Sequence, residues 1–216
     1  MYPKGNLFIP ASHGRLEAIL KEPAGERRGV ALVCHPLPQG AGTMHNKVVF
    51  RIAAGLTDAG LTTVRFNFSG VGASTGQMGG VEEGLADVRD ALKYLKENFP
   101  DDEITLAGFS FGSRVGMQAG MSDDRVVRLI SVGTPVEKYR DFDFLTSVTK
   151  PILFIHGDKD EFCSVEGLRT LTDRIPHAEV VIFENSGHFF DEHLQKLREV
   201  VRDWVRKEIE TTDELR

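Results

Sequence analysis

The stretch Glu103-Ile-Thr-Leu-Ala-Gly-Phe-Ser-Phe-Gly-Ser-Arg-Val-Gly-Met-Gln-Ala-Gly-Met121 decides the fold. Its first five residues form an alternating apolar segment that reads as a strand, and Ser113 to Met121 is compatible with a helix. Between them, Gly108-Phe109-Ser110-Phe111-Gly112 is a G-x-S-x-G turn in the strand-to-helix setting that this motif requires. The spacing has a steric reason. A serine hydroxyl becomes a useful nucleophile once a sharp turn lifts it out of the sheet edge, and such a turn leaves no room for side chains two residues to either side.

Working outward from Ser110, two further segments end in polar turns. Pro151-Ile-Leu-Phe-Ile155 reads as a short buried strand running into His156-Gly157-Asp158-Lys159-Asp160, which carries two carboxylates. Ala178-Glu-Val-Val-Ile-Phe183 ends in Glu184-Asn185-Ser186-Gly187-His188. The chain order is therefore serine, aspartate, histidine, each just past the carboxyl end of an expected strand. An open α/β sheet gathers functional groups from distant parts of the sequence at that edge.

The remaining pattern alternates strands and helices. A hairpin is expected from Leu7–Ile9 and Arg15–Leu20 around Ser12-His13-Gly14. Strands are expected at Val30–Cys34, Leu61–Phe68 and Val126–Val132, and helices at His45–Ala59, Val81–Asn98, Val165–Ile175 and Asp191–Ile209. Gly133 to Lys150 reads as loop, and the polar tail from Glu210 to Arg216 is expected to fray. The fold class is thus α/β, a mostly parallel central sheet with helices on both faces and an antiparallel start from the hairpin. The 216 residues suit one domain spanning 1–216, with roughly 70% of the unfolded surface buried.

Composition narrows the function. A net charge of −6 offers no broad basic surface, which disfavours nucleic acid and anionic membranes as partners and suits an enzyme of small molecules. The two cysteines, Cys34 and Cys163, have no C-x-x-C spacing and imply a reducing compartment. The N-terminus lacks a basic stretch followed by an apolar signal region, and no apolar run approaches the ~20 residues of a membrane span, so a cytoplasmic location is expected. The acidic tail and surface composition carry no sign of an oligomeric state. No metal is expected: H-E-x-x-H is missing, and His35, His45, His156 and His193 form no recognisable ligand spacing. No cofactor is expected either. Gly70-Val-Gly72 begins like a dinucleotide loop, but the third glycine position holds Thr75, and Gly76 falls one residue late.

Five ordered pieces carry a resemblance: the His35-Pro36-Leu37-Pro38 turn, the Ser69-Gly70-Val71-Gly72-Ala73-Ser74 loop, the elbow around Ser110, the His-Gly-Asp-Lys-Asp loop and the Ser186-Gly187-His188 end. From Leu7 to Lys207 the chain resembles the α/β-hydrolase superfamily, and within it the compact dienelactone-hydrolase-like serine hydrolases. The resemblance implies that Ser110 attacks a carbonyl carbon, that His188 relays its proton, and that an acid orients the imidazole. Two aspartates compete for that last role. The family's acid loop favours Asp160, with Asp158 left to bond backbone amides in the turn.

Two backbone N–H groups are needed to stabilise the developing oxyanion. Phe111, just after the serine, supplies one. The other falls to Leu37, because Pro36 and Pro38 have no N–H, with Gln39 as the alternative. Only residues 133–150 separate the strand after the elbow helix from the next one, so no lid domain fits. An apolar rim around an open site is expected from Met44, Tyr139, Phe142, Phe144, Phe162 and Phe189, with some of these in the core. The substrate class implied is a small, short-chain carboxylic ester, with a thioester as the nearest alternative and a non-catalytic binding module as the alternative of another class. Dienelactone hydrolases carry cysteine at the elbow, so Ser110 argues against that activity. Ser69 also departs from the arginine that the family often places there.

Overall fold

The computed structural model describes residues 5–214. The strands are β1 (Asn6–Ala11), β2 (Gly14–Lys21), β3 (Val30–Cys34), β4 (Thr62–Phe66), β5 (Ile104–Phe109), β6 (Val126–Val132), β7 (Ile152–Gly157) and β8 (Ala178–Phe183). The helices are α1 (Lys47–Asp58), α2 (Val81–Asn98), α3 (Phe111–Met121), α4 (Val136–Tyr139), α5 (Val165–Thr172) and α6 (Leu194–Glu214). The eight strands form one sheet in the order β1-β2-β4-β3-β5-β6-β7-β8. Only the β1–β2 and β2–β4 pairs are antiparallel; the rest are parallel. The hairpin start and the parallel remainder both match the pattern of the sequence.

Two apolar layers cover the sheet, and the period of two within each strand assigns residues to them. In β3, Val30, Leu32 and Cys34 face the layer containing α2 and α3. Ala31 and Val33 face the opposite layer, where α1 and α6 pack. The helices start and stop for local reasons. Asn46 caps α1 by accepting from the Val48 N–H at 2.9 Å, a cap worth about 1 kcal/mol. At the start of α2, Glu83 reaches back to the Gly80 N–H at 2.7 Å.

Two expectations are corrected. The polar tail does not fray at Glu210: α6 continues to Glu214. Ile209 is buried against the α1–α6 layer and Asp213 pairs with Arg28, so the last turns have tertiary partners. Residues 215–216 lie outside the described residues. The 133–150 connection, expected as loop, holds the one-turn helix α4 and a 3₁₀ turn at Asp143–Ser147. No helix among the described residues is long and apolar enough to cross a membrane.

Candidate active site

β5 and α3 meet at Ser110, whose backbone sits at φ 54° and ψ −118°. A positive φ is strained for a residue with a side chain, by an order of 1–3 kcal/mol. The surrounding bonds hold it there. The Ser110 N–H donates to the Val132 carbonyl at 2.9 Å, and the Ser110 carbonyl accepts from the Ser113 N–H at 2.9 Å. At this φ the hydroxyl does not cap the helix it begins, so Oγ stays available. The flanking glycines are sterically required: a Cβ on Gly108 would lie 2.3 Å from the Gly112 carbonyl oxygen, and one on Gly112 would lie 2.3 Å from that of Cys34.

Asp160 and His188 come together beyond the ends of β7 and β8. Asp160 Oδ2 accepts a hydrogen bond from His188 Nδ1 at 2.7 Å. Its Oδ1 accepts from the Phe162 N–H at 2.8 Å. Burial alone would raise the Asp160 pKa, but the bond and charge of His188, the Phe162 amide and nearby His156 outweigh it, so the carboxyl stays below its ordinary range. Asp158 does the other job expected of the pair: its Oδ1 accepts from the Ser186 N–H at 3.0 Å and ties the two loops together. His156 Nε2 donates to the Cys163 carbonyl at 2.7 Å, and its Nδ1 stands 3.8 Å from Asp160 Oδ2.

The imidazole of His188 is only 3% exposed and lies among aromatic rings. Phe109 lies 4.8 Å from it between centroids, Phe162 4.7 Å and Phe189 5.3 Å. These contacts bring it beside the elbow, because Phe109 immediately precedes Ser110. Gly133, next to the Val132 that bonds Ser110, is so close that an added Cβ would lie 3.0 Å from His188 Cε1. With Nδ1 engaged by Asp160, Nε2 is the ring nitrogen left free. Among the described residues Ser110 Oγ makes no hydrogen bond, and such bonds often tighten only when substrate binds.

The Leu37 turn packs against the start of α3, as the contacts of Gly112 with the Cys34 and His35 carbonyls require. Leu37 precedes a 3₁₀ turn at Pro38–Gly40, and its carbonyl accepts from the Gly40 N–H at 3.0 Å and the Gly42 N–H at 3.1 Å. Among the described residues neither the Leu37 nor the Phe111 amide finds an acceptor. The backbone amide of Gln39, the alternative donor, finds no acceptor among the described residues either, while its side chain donates to the Gly79 carbonyl at 2.8 Å.

The expected rim divides in two. Phe162 and Phe189 are exposed beside His188, and Tyr139 is half-buried against Phe111. Met44 and Phe142, expected at the rim, are buried instead. The turn at Met44 is drawn inward because its N–H donates to Asn67 Oδ1 and its carbonyl accepts from Arg65. Phe142 stacks on Phe144 beneath the Arg114 guanidinium. Cys34 is sealed in the sheet; burial, and then the charge of Asp87, push its thiol far above the ordinary range.

Sequence reasoning missed the residues that shape this edge from below. Glu17 Oε2 accepts from Asn67 Nδ2 and the Ala73 N–H, both at 2.9 Å. Asp87, on α2, accepts from both the N–H and the hydroxyl of Ser69. These partners lie 18 to 56 residues apart, and no local motif marks them.

A family model described as alpha/beta hydrolase fold matches residues 32–143, just over half of the chain. The chain belongs to the α/β-hydrolase fold family. The structure of an α/β serine hydrolase homologue from Coxiella burnetii is similar at 35% identity and a TM-score of 0.88, covering 94% of this chain and 98% of that one. A second α/β-hydrolase, a serine hydrolase without lid from Xanthomonas campestris, is 31% identical at a TM-score of 0.86, with 96% of each chain covered. An uncharacterized protein of Rickettsia prowazekii is 31% identical over 210 residues, 92% of this chain and 87% of its own length.

Proposed function

We propose that this α/β-hydrolase cleaves small carboxylic esters through an acyl-enzyme on Ser110. The observation that carries the reading is the buried Asp160–His188 bond at 2.7 Å, set beside a serine whose strained backbone keeps its hydroxyl out of the helix cap. The description of two similar structures as serine hydrolases supports the reaction type.

The chemistry follows from the arrangement. Asp160 holds His188 with the proton on Nδ1, which leaves Nε2 as the bare nitrogen that serves as base for Ser110. As Oγ attacks the ester carbonyl, its proton passes to Nε2, and the carbonyl π electrons move onto oxygen. The Leu37 and Phe111 N–H groups receive that oxyanion; fixed donors of this kind contribute about 10²–10³ in rate each. Collapse expels the alkoxide, which takes the proton from Nε2. A water, deprotonated by the same nitrogen, then attacks the acyl-enzyme; the Oγ–acyl bond breaks, Ser110 Oγ takes the proton back from Nε2, and the acid is released. Phe162, Phe189 and Tyr139 offer apolar contact to a short acyl group at the unlidded mouth.

A p-nitrophenyl ester series from acetate to palmitate, run beside Ser110→Ala, tests this. Turnover greatest for short chains and lost in the alanine variant is expected. Turnover that survives Ser110→Ala would refute it.

A further inference from the structure

His35 takes no part in the chemistry above, yet it sits where the oxyanion-binding turn begins, fully buried at the end of β3. Both its ring nitrogens have partners. Nε2 lies 3.0 Å from the Phe68 N–H, and Nδ1 lies 2.7 Å from the Pro36 carbonyl. The partners determine the tautomer. A backbone amide can only donate, so Nε2 must be bare and accept; a carbonyl can only accept, so Nδ1 must carry the proton and donate. Burial outweighs the Pro36 bond and pushes the pKa down to about 4, which keeps the ring neutral near pH 7.

The Pro36 carbonyl belongs to the same peptide unit as the Leu37 N–H. That unit is trans, so its C=O and N–H point to opposite sides. Whatever holds the carbonyl inward therefore aims the amide outward. The next carbonyl, that of Leu37, is held by the Gly40 and Gly42 amides. Leu37 N–H thus lies in one immobilised peptide plane and adjoins a second, and His35 is the side chain that holds the first. The ring also reaches the other donor through aromatic contacts: His35 lies 4.6 Å from Phe68, and Phe68 lies 5.4 Å from Phe111, edge to face in both cases.

We infer that His35 is a positioning residue for ester hydrolysis, a neutral Nδ1–H imidazole that aims the Leu37 amide at the oxyanion by clamping the Pro36 carbonyl. This rests on the Ser110 reading. The Phe68 bond places the ring, and the Pro36 bond transmits the effect. Misplacing a catalytic group by about 1 Å costs on the order of 10²-fold in rate, so loss of the clamp acts on kcat more than on KM.

Two conservative variants separate the bonds. In His35→Asn the side-chain NH₂ takes the place of Nδ1 and can still donate to Pro36. In His35→Gln the side-chain oxygen takes the place of Nε2 and keeps only the Phe68 bond. With p-nitrophenyl acetate, His35→Asn is expected within about tenfold of wild-type kcat, and His35→Gln about 100-fold down, KM changing less than about threefold in both. A purely structural role for the ring predicts the reverse order, and His35→Gln as active as His35→Asn would overturn the inference. ¹⁵N spectra of the wild-type imidazoles at pH 7 give a second readout that needs no variant to fold: His35 is expected protonated at Nδ1 and bare at Nε2, and the opposite tautomer would overturn the clamp. Wild-type protein without Ser110-dependent turnover would instead refute the Ser110 reading, and with it any role for His35 in catalysis. Active wild type with the wrong variant order refutes His35 alone.

Discussion

Gly112→Ala reports on the oxyanion site through distance alone. The new methyl would lie 2.3 Å from the Cys34 carbonyl oxygen and 2.5 Å from that of His35, where ordinary contact begins near 3.4 Å. Both obstacles are backbone, so no side-chain rotation relieves them. The start of α3 and the end of β3 must part by about 1 Å; the first carries the Phe111 amide, and the second leads directly into the turn that carries the Leu37 amide. A displacement of that size costs about 10²-fold in rate, near 3 kcal/mol of transition-state stabilisation. We expect kcat and kcat/KM for p-nitrophenyl acetate to fall together by about 100-fold, because the lost interaction belongs to the transition state. Circular dichroism and thermal unfolding establish that the variant is folded. Gly40→Ala, in the same turn but with open space around its Cβ, is the control and should stay within about threefold of wild type. A folded Gly112→Ala protein with wild-type kcat would refute the placement of the oxyanion donors on these two segments.

Further outcomes follow from other parts of the site. Asp160→Asn presents an amide N–H to His188 Nδ1, driving the proton to Nε2; kcat should drop by about 10³–10⁴, whereas Asp158→Asn should stay within about tenfold, and equal losses in steady-state assays would contradict the assignment. His35 titrates at about 4 when folded against an ordinary 6.5, so it stabilises the fold above pH 6.5, and about 3 kcal/mol is lost as pH falls from 6.5 through 4. Urea unfolding between pH 7 and 4.5 should show a shallower pH dependence for His35→Asn than for wild type. Phe142→Ala should cost about 3–5 kcal/mol of stability and leave KM for p-nitrophenyl acetate unchanged. Phe162→Ala should do the opposite, changing KM for longer acyl chains while Tm moves little.

The elements were legible wherever local pattern and burial agree. β6, β8 and α2 have the bounds that the sequence pattern predicts: α2 buries one regular face, β6 is buried nearly throughout, and β8 is an apolar run that ends at buried Phe183. Ser110 and His188 were legible because the elbow and the strand-end turn need particular residue types at short range. Choosing between Asp158 and Asp160 took the resemblance, since both lie in one turn two residues apart, and the structure places their carboxyls on different partners. Exposure was the hardest property to read. Met44 and Phe142 look like rim residues in a glycine-rich turn and a loop, but long-range bonds from Asn67 and Arg65, and the Arg114 cation over Phe142, draw them inside. The order of the α6 tail is not legible for the same reason: the partner of Asp213, Arg28, lies 185 residues away in sequence.

The central claim is that Ser110 is the nucleophile, activated through His188 and Asp160. Reaction with a fluorophosphonate followed by mass spectrometry of the peptides tests it most directly. The account predicts a single adduct on Ser110 in the wild type, formed about 10³-fold more slowly in Asp160→Asn. Folded wild-type protein that remains unlabelled, or that carries the adduct on another residue, would contradict it.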